Sequence, residues 1–195
     1  PAVTTVVVTV SPTVRPPSPS ASRAWPKVQG EAGGGLSLNG KPVTRDGPAE
    51  ERAVLAAMGT PDQKTERTTC GTTKLKNTLY RWGDLQVVVL READTSWEYG
   101  FAYPPGSIAG WRIDPALDGK PGLAFAATGP KGTTIGTTLA TLRQRFPTTD
   151  WDYASVDVVR GKRVFSFGAG DTTTAAMDLD AADKVSAMYA GYANC

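Results

Sequence analysis

The alternation of apolar and polar positions is strongest between residues 79 and 90. Leu85, Val87 and Val89 recur at every second position, which is the period of a β-strand with one buried face. β-Branched and aromatic side chains also fit a pleated surface better than a helix. Gly83 interrupts the pattern and indicates a bulge or a tight turn, so the segment forms either one strand or two.

Two further segments predict strands that pair with this one. Residues 99–103 alternate aromatic and small side chains, and the polar residues 92–96 before them favour a turn. Residues 111–113 form another candidate strand, between Gly110 and Pro115. The sequence therefore predicts an antiparallel meander with one aromatic face, although apolar alternation of this kind is also typical of an ordinary protein core.

A first short helix is predicted over residues 46–58. Asp46 can cap its first turn, where Pro48 is also favoured, and Gly59 with Pro61 ends it. Three apolar side chains are its candidate core residues, namely Val54, Leu55 and Met58.

A second short helix is predicted to end near Arg145, with Thr137 or Thr138 as its cap. Four apolar side chains at helical spacing define one face of this segment: Ile135, Leu139, Leu142 and Phe146. After a polar stretch, three candidate strands follow at residues 164–167, 175–179 and 185–189.

Helix, polar loop and antiparallel strands thus occur twice in the same order, as a weak internal repeat. The sequence predicts an α+β fold of two short-helix-plus-antiparallel-sheet units in tandem, with one disulfide and a disordered N-terminal tail. We expect a flexible Thr/Ser/Pro-rich tail or linker at residues 1–28, a first α+β unit at residues 29–127 and a second at residues 128–195.

The N-terminal composition predicts where the protein works. Residues 1–26 are rich in Thr, Val, Ser and Pro, which offer little apolar surface and favour an extended, flexible chain. The first residue is Pro, which indicates processing, and we expect residues 11–22 to link a membrane or lipid anchor to the globular part. Within this tail, residues 4–10 could instead be ordered, because their β-branched side chains would suit an added edge strand. We therefore expect an extracytoplasmic protein, either secreted or anchored to the outer face of the cell membrane.

The chain contains two cysteines, Cys70 and Cys195. A cysteine at the last position is explained if it ties down an end that would otherwise fray. An exported protein favours a disulfide between these two residues, and two unpaired thiols are the alternative.

Composition and charge exclude several classes of function. The net charge is +2, which is too small to favour nucleic acid or an anionic membrane surface as a partner. No stretch approaches the ~20 apolar residues that span a bilayer. The chain has no histidine, which removes the commonest general base and most zinc sites, and it contains no dinucleotide or P-loop motif. We expect no cofactor and no metal.

Carboxylates are the remaining acid–base groups. Asp152 and Asp157 lie in a stretch with Trp151 and Tyr153, and Glu98 is a third candidate. Acids beside aromatic residues occur in sugar-binding sites, where paired carboxyl groups do acid–base chemistry. This predicts a carboxylate-dependent hydrolase of a cell-envelope glycan, and the alternative is a solvated loop.

Aromatic residues are concentrated in the first predicted sheet. Exposed on one face they would form a binding surface, because Trp and Tyr anchor interfaces, and buried they would form the core. The candidate binding residues are Trp82, Trp97, Tyr99, Tyr103 and Trp111.

The repeated order of helix, loop and sheet resembles the tandem units of beta-lactamase-inhibitor proteins and of small envelope-assembly lipoproteins. The chain also resembles uncharacterised exported or lipid-anchored proteins of high-GC Gram-positive bacteria. The segments that carry this likeness are residues 69–71, 80–85, 110–111, 132–142 and 190–195. The resemblance implies a fold and a compartment, and it implies no reaction.

The function predicted from these features is non-enzymatic binding of an envelope protein or glycan ligand, through the aromatic residues of the sheet. The prediction rests on fold analogy and on the missing catalytic groups. The hydrolase is the second hypothesis, and a structural wall-spacing domain is the third. No nucleic-acid partner is expected, and contact with a membrane is expected through an anchor alone.

Overall fold

The computed structural model describes residues 25–43, 47–69, 74–95, 103–116, 127–169 and 172–194. These residues form twelve β-strands, two α-helices and three short 3-10 helices. The fold is therefore mostly β, and the predicted α+β class is wrong. Both α-helices are short, and the two polar stretches that were predicted as loops also contain strands, at residues 63–68 and 153–159.

The strands are β1 (Val28–Gly30), β2 (Leu36–Leu38), β3 (Lys41–Pro42), β4 (Gln63–Thr68), β5 (Lys76–Trp82), β6 (Leu85–Leu90), β7 (Ile108–Ile113), β8 (Ala127–Thr128), β9 (Tyr153–Val159), β10 (Lys162–Ala169), β11 (Thr172–Leu179) and β12 (Val185–Gly191). The α-helices are α1 (Pro48–Met58) and α2 (Leu139–Arg145). The 3-10 helices are Ala32–Gly34, Pro130–Gly132 and Tyr192–Asn194. Among these described elements, neither α1 nor α2 is long and apolar enough to cross a membrane.

One eight-stranded sheet dominates the molecule, in the order β4-β5-β6-β7-β12-β11-β10-β9. All its strand pairs are antiparallel. The part of the chain that begins with α1 supplies β4 to β7, and the part that begins with α2 supplies β9 to β12. The two halves meet where β7 pairs with β12, so they share one sheet instead of forming a sheet each. The predicted domain boundary, between residues 127 and 128, falls inside β8.

A smaller sheet in the order β3-β2-β1-β8 packs over the middle of the large one. The indole N–H of Trp111 in β7 donates to the backbone oxygen of Glu31, at 2.9 Å. Gly30 lies so close to the Trp111 ring that a Cβ there would collide with it. These contacts join β1 and the segment that follows it to the seam between the two halves.

Helices α1 and α2 pack against the same face, on either side of the small sheet. Val54 and Met58 of α1 belong to the main core cluster, as predicted, and the indole N–H of Trp82 donates to the carbonyl of Gly59 at 3.1 Å. On the other side, the ring of Phe146 stacks on that of Phe167 in β10, with 4.2 Å between their centroids. The helix-covered face of the sheet therefore contains the principal core.

Local chemistry fixes where the helices begin. Thr138 caps α2 as predicted, since its hydroxyl accepts the N–H of Thr141 at 3.3 Å. The N-cap position of α1 is occupied by Gly47, and the predicted cap Asp46 lies outside the described residues. Glu50 is 2 % exposed, and its carboxylate accepts the N–H groups of Gly47 and Ile108, the latter at 2.9 Å. Glu50 therefore caps α1 and ties it to β7.

Several predictions concern residues outside the described ranges. One is the N-terminal tail, including the linker at residues 11–22 and the possible edge strand at residues 4–10. The other is the disulfide between Cys70 and Cys195. Of the predicted strand over residues 99–103, the described residue Tyr103 forms an isolated antiparallel bridge with Asp94.

Candidate functional site

A pocket of about 250 Å³ opens on the sheet face opposite the helices. Its described lining residues come from five adjacent strands and from the turn between two of them. They are Arg112, Val159, Arg160, Lys162, Val164, Asp178 and Tyr189. The pocket therefore spans the half of the sheet that runs from the β7–β12 seam to the β9 edge.

Strand alternation explains why these side chains meet. In β10, Phe165 and Phe167 point into the main core, so Val164 and Lys162 point to the opposite face. Val164 pairs directly with Asp178 in β11, and Tyr189 pairs directly with Arg112 across the seam. The register of four strands thus brings the charged groups onto one surface.

Asp178 is the buried anion of the pocket, at 4 % exposure. Its carboxylate accepts the Tyr189 hydroxyl at 3.0 Å and the Lys162 ammonium at 3.1 Å, and one of its oxygens lies 3.8 Å from Nη2 of Arg112. A buried carboxylate needs such partners, because burying an unpaired charge is costly. Asp178 therefore holds together side chains from β7, β10 and β12.

Arg112 is held from two sides. Its Nε and Nη2 atoms donate to one carboxylate oxygen of Asp114, at 3.1 and 2.6 Å. Its guanidinium carbon also lies 5.1 Å from the ring centroid of Tyr189, within cation–π range. Burial, followed by the charge of Asp178, raises the pKa of Tyr189 well above its usual value, so the phenol stays protonated as a donor.

Arg160 differs from the other two cations of the pocket. It lies with Gly161 in the two-residue turn between β9 and β10, where both residues have positive φ, at 52° and 77°, as a type I′ hairpin requires. Its side chain is exposed, and no carboxylate of the described residues forms an ion pair with it. Three cationic side chains and one carboxylate therefore line the pocket. Lys162 is paired with Asp178 and Arg112 with Asp114, so Arg160 is the lining cation without a carboxylate partner among the described residues.

The described members of the predicted aromatic surface are buried. Trp82 and Trp111 are 0 % exposed and belong to the main core, and Tyr103 is 2 % exposed in a second apolar cluster on the opposite face. Trp97 and Tyr99 lie outside the described residues. The three described side chains support the fold, and the pocket lies elsewhere on the sheet.

The predicted catalytic carboxylates lie around the edge strand β9. Asp152 and Asp157 are both exposed, and Asp157 accepts the hydroxyl of Ser155 at 2.7 Å. Asp152 lies in the bend that precedes β9, and Asp157 lies five positions further along the chain, so up to roughly 16 Å of chain separates the two aspartates. Glu98 lies outside the described residues. The structure does not bring Asp152 and Asp157 together.

Sequence reasoning missed the pocket. Asp178 interrupts an otherwise apolar strand, and that pattern is a usable signal for a buried polar contact. Arg112 follows Trp111 in a predicted strand and so had to point to the other face. No sequence signal reveals that β7 and β12 are neighbours, which is what brings Arg112 to Asp178. In the described part of the chain, no group of three or more acidic, histidine or cysteine side chains is arranged to hold a metal ion.

No protein-family model matches the chain, and no curated protein matches it. Among solved structures, the chain is similar to the uncharacterized protein YfeY from Escherichia coli, with a TM-score of 0.41 and 12 % sequence identity. The match covers 85 % of this chain and 99 % of that chain. A likeness at this TM-score carries no argument about function.

Proposed function

We propose that this protein is a non-enzymatic binding protein that recognises an acidic group of a cell-envelope ligand in the pocket on the open sheet face. The observation that carries the proposal is the state of Arg160. Its guanidinium is exposed at the pocket, and it has no carboxylate partner among the described residues. Arg112 and Lys162 are paired, with Asp114 and Asp178. The pocket therefore has a cation available for a ligand.

The paired charges support the proposal by holding the pocket in shape. Asp178 bonds to Tyr189 and Lys162, and Arg112 is fixed between Asp114 and the ring of Tyr189. A ligand that enters finds these groups already oriented, so little side-chain entropy is lost on binding. Binding then depends chiefly on Arg160, which has no ion-pair partner among the described residues.

The chemistry of the pocket favours a carboxylate or a phosphate group. A guanidinium can donate two parallel hydrogen bonds to either anion. The volume of about 250 Å³ is below the ~300–1,000 Å³ of pockets that enclose whole drug-sized ligands. It suits one acidic group carried by a larger protein or polymer, most of which would remain outside the pocket.

The proposed location outside the cytoplasm rests on the sequence. The Thr/Ser/Pro-rich composition of residues 1–26 suits a linker, and a Cys70–Cys195 disulfide would suit an oxidising compartment. Mass spectrometry after alkylation, with and without reductant, tests the disulfide. Two alkylated thiols in the unreduced protein would contradict the pairing and remove this support for export.

Isothermal titration calorimetry with inorganic phosphate and with N-acetylglutamate tests the proposed site. We expect one of these probes to bind the unmodified chain with a Kd that rises as salt is added, because binding is electrostatic. Arg160→Gln should weaken that binding at least about tenfold, which is the cost of losing a charge-assisted hydrogen bond.

Arg143→Gln is the matched control. Arg143 is exposed on α2, on the opposite side of the sheet, and the substitution removes the same charge. Equal losses of affinity for the two variants would mean that net charge alone is responsible, and this would overturn the proposed site. The proposal also fails if neither probe binds the unmodified chain.

A further inference from the structure

The two edges of the eight-stranded sheet differ in how they are protected. Edge strand β4 carries Lys64, Glu66 and Arg67, and charged side chains of this kind discourage the addition of another strand. Edge strand β9 has one charged residue, Asp157, and three valines. Among the residues that the structure describes, β9 pairs with β10 alone. The β9 edge is therefore the one suited to accept a strand.

Exposed apolar side chains mark the same edge. Val158 is 73 % exposed and Val159 is 49 % exposed, the highest values among the exposed large hydrophobic residues of the described chain. Val158 lies on the helix-covered face, in line with Ala154 and Val156, which pack against the main core. A strand added beside β9 would continue that core and cover Val158.

We propose that β9 is a self-association site, at which a second copy of this chain adds its own β9 in antiparallel orientation around a two-fold axis. Such an axis is perpendicular to the sheet, so helix-covered faces adjoin helix-covered faces. The occupant is a second copy because β9 is complementary to itself in one register. This inference is independent of the pocket and of its ligand.

The matching register places the axis at Val156. Val158 then lies opposite Ala154 of the second copy, and Asp157 lies opposite Ser155. Each apolar residue of this face thereby meets another apolar residue. The carboxylate meets a hydroxyl, and within one chain the same two groups already bond at 2.7 Å. Cross-strand pairs of this kind stabilise sheets.

The neighbouring registers are less favourable. An axis at Asp157 would place that carboxylate opposite its own copy, and like charges directly opposite each other are destabilising. An axis at Ser155 would place the exposed Val158 opposite the charged Asp152. The avoidance of like charges and the matching of apolar residues therefore select the same register.

Sedimentation velocity from micromolar to millimolar protein concentration tests the association. We expect a monomer–dimer equilibrium in the unmodified chain. Val158→Lys places an ammonium in the apolar row of both copies, and it should raise the dimer Kd about tenfold or more. The matched control is Thr65→Lys, which adds the same charge on the β4 edge and should leave the Kd unchanged. A chain that stays monomeric throughout, or equal shifts for the two variants, would overturn the proposal.

Disulfide cross-linking tests the register. Residues opposite each other in an antiparallel pair have Cβ atoms about 4.5–5.5 Å apart, close to the separation that a disulfide spans. An equimolar mixture of S155C and D157C proteins should therefore form a covalent heterodimer on mild oxidation. Neither variant alone should do so beyond the level of the unmodified chain, which controls for its native cysteines. Cross-linking of S155C to itself, or none in the mixture, would reject the register.

Discussion

Gly191 in β12 lies directly opposite Gly110 in β7, at the seam where the two halves of the large sheet join. Gly191 has a φ of +60°, and a Cβ at this position would collide with the carbonyl oxygen of Ala109. A Cβ at Gly110 would lie 2.6 Å from the backbone nitrogen of Ala193. The seam is therefore closed by backbone packed against backbone, where no side chain fits.

We expect Gly191→Ala to be among the most destabilising single substitutions in the chain. It combines the cost of a left-handed backbone for a non-glycine residue, about 1–2 kcal/mol, with a clash that neither strand can relieve alone. The free energy of unfolding, measured by urea denaturation, should fall by more than about 3 kcal/mol. Gly161→Ala is the control, because Gly161 also has a positive φ but has open space around it. It should cost no more than the backbone term, and equal losses would show that the seam clash is relieved.

The second prediction concerns the ion pair between Glu51 in α1 and Arg91. Two nitrogens of Arg91 each lie 2.7 Å from an oxygen of Glu51, and the Tyr80 hydroxyl donates to the same carboxylate at 2.5 Å. Hydrogen bonds from Arg91 are the main cause that lowers the pKa of Glu51 below its usual 4.5. The folded-state pKa is thus depressed, so the pair stabilises the fold above pH 4.5 and loses that contribution as the pH falls through the folded value. Glu51→Gln should cost about 1–2 kcal/mol at neutral pH and less in acid, as measured by urea unfolding over a pH series. A pH-independent loss would contradict this account.

Asp84 should show the opposite pH dependence. Its Oδ1 atom is buried without a hydrogen-bond partner in the described chain, and burial is the main cause that raises its pKa above 3.8. The ionised form therefore destabilises the fold, and the penalty develops as the pH rises from 3.8 through the folded-state value. Asp84→Asn should raise the Tm at neutral pH and increase the free energy of unfolding by less than about 1 kcal/mol. In strong acid, the same substitution should change the Tm little. A lower Tm at neutral pH would show that the charge is needed.

Tyr189 provides a spectroscopic prediction. Because its pKa is well above 10, it should stay protonated in the folded protein when exposed tyrosines have become phenolates. Its contribution to stability is fully present below pH 10 and is lost as the pH rises through the raised folded value. Tyr189→Phe should cost about 1 kcal/mol at neutral pH through the lost bond to Asp178, and should leave phenolate absorbance near pH 10 unchanged. A drop in that absorbance would mean that Tyr189 titrates normally.

The core of α2 supplies the last prediction. Phe146 is 1 % exposed and stacks on Phe167, whereas Ile135 is 38 % exposed before the helix begins. Phe146→Ala should lower the free energy of unfolding by about 3–5 kcal/mol, as expected for a buried aromatic residue. Ile135→Ala should cost less than about 0.5 kcal/mol in the same urea experiment. Similar losses at the two positions would show that Ile135 packs on the core after all.

The sequence predicts the elements that have a strongly apolar face and misses the two edge strands of the large sheet. The helix with Val54 and Met58 is present, and the pattern over residues 79–90 is two strands that turn at Gly83, which was one of the two alternatives. Strands β4 and β9 lie in the two polar stretches that the sequence pattern predicts as loops. They are the two edges of the sheet, with exposed or half-exposed side chains. No apolar alternation marks β4, and the alternation of Ala154, Val156 and Val158 in β9 is short and lies within a polar stretch.

The pocket could not be predicted for a different reason. Its parts, such as Arg112 and Asp178, lie on strands that the sequence indicates one by one. Their meeting depends on the pairing of β7 with β12, which local periodicity does not encode. The aromatic residues show the converse, since Trp82 and Trp111 were candidates for a binding surface and are 0 % exposed in the core.

The position of β12 beside β7 also affects how the molecule is made. Met188 in β12 pairs with Ile113 in β7, so this strand pair at the centre of the sheet joins residues that are 75 positions apart. Contacts of such long range slow folding, because a large loop must close before they form. During synthesis, α1 and strands β4 to β7 are made before strands β9 to β12, and the side of β7 that faces β12 stays unpaired until β12 has been synthesised. During that interval the nascent chain exposes an apolar strand edge, and there we expect a chaperone to bind.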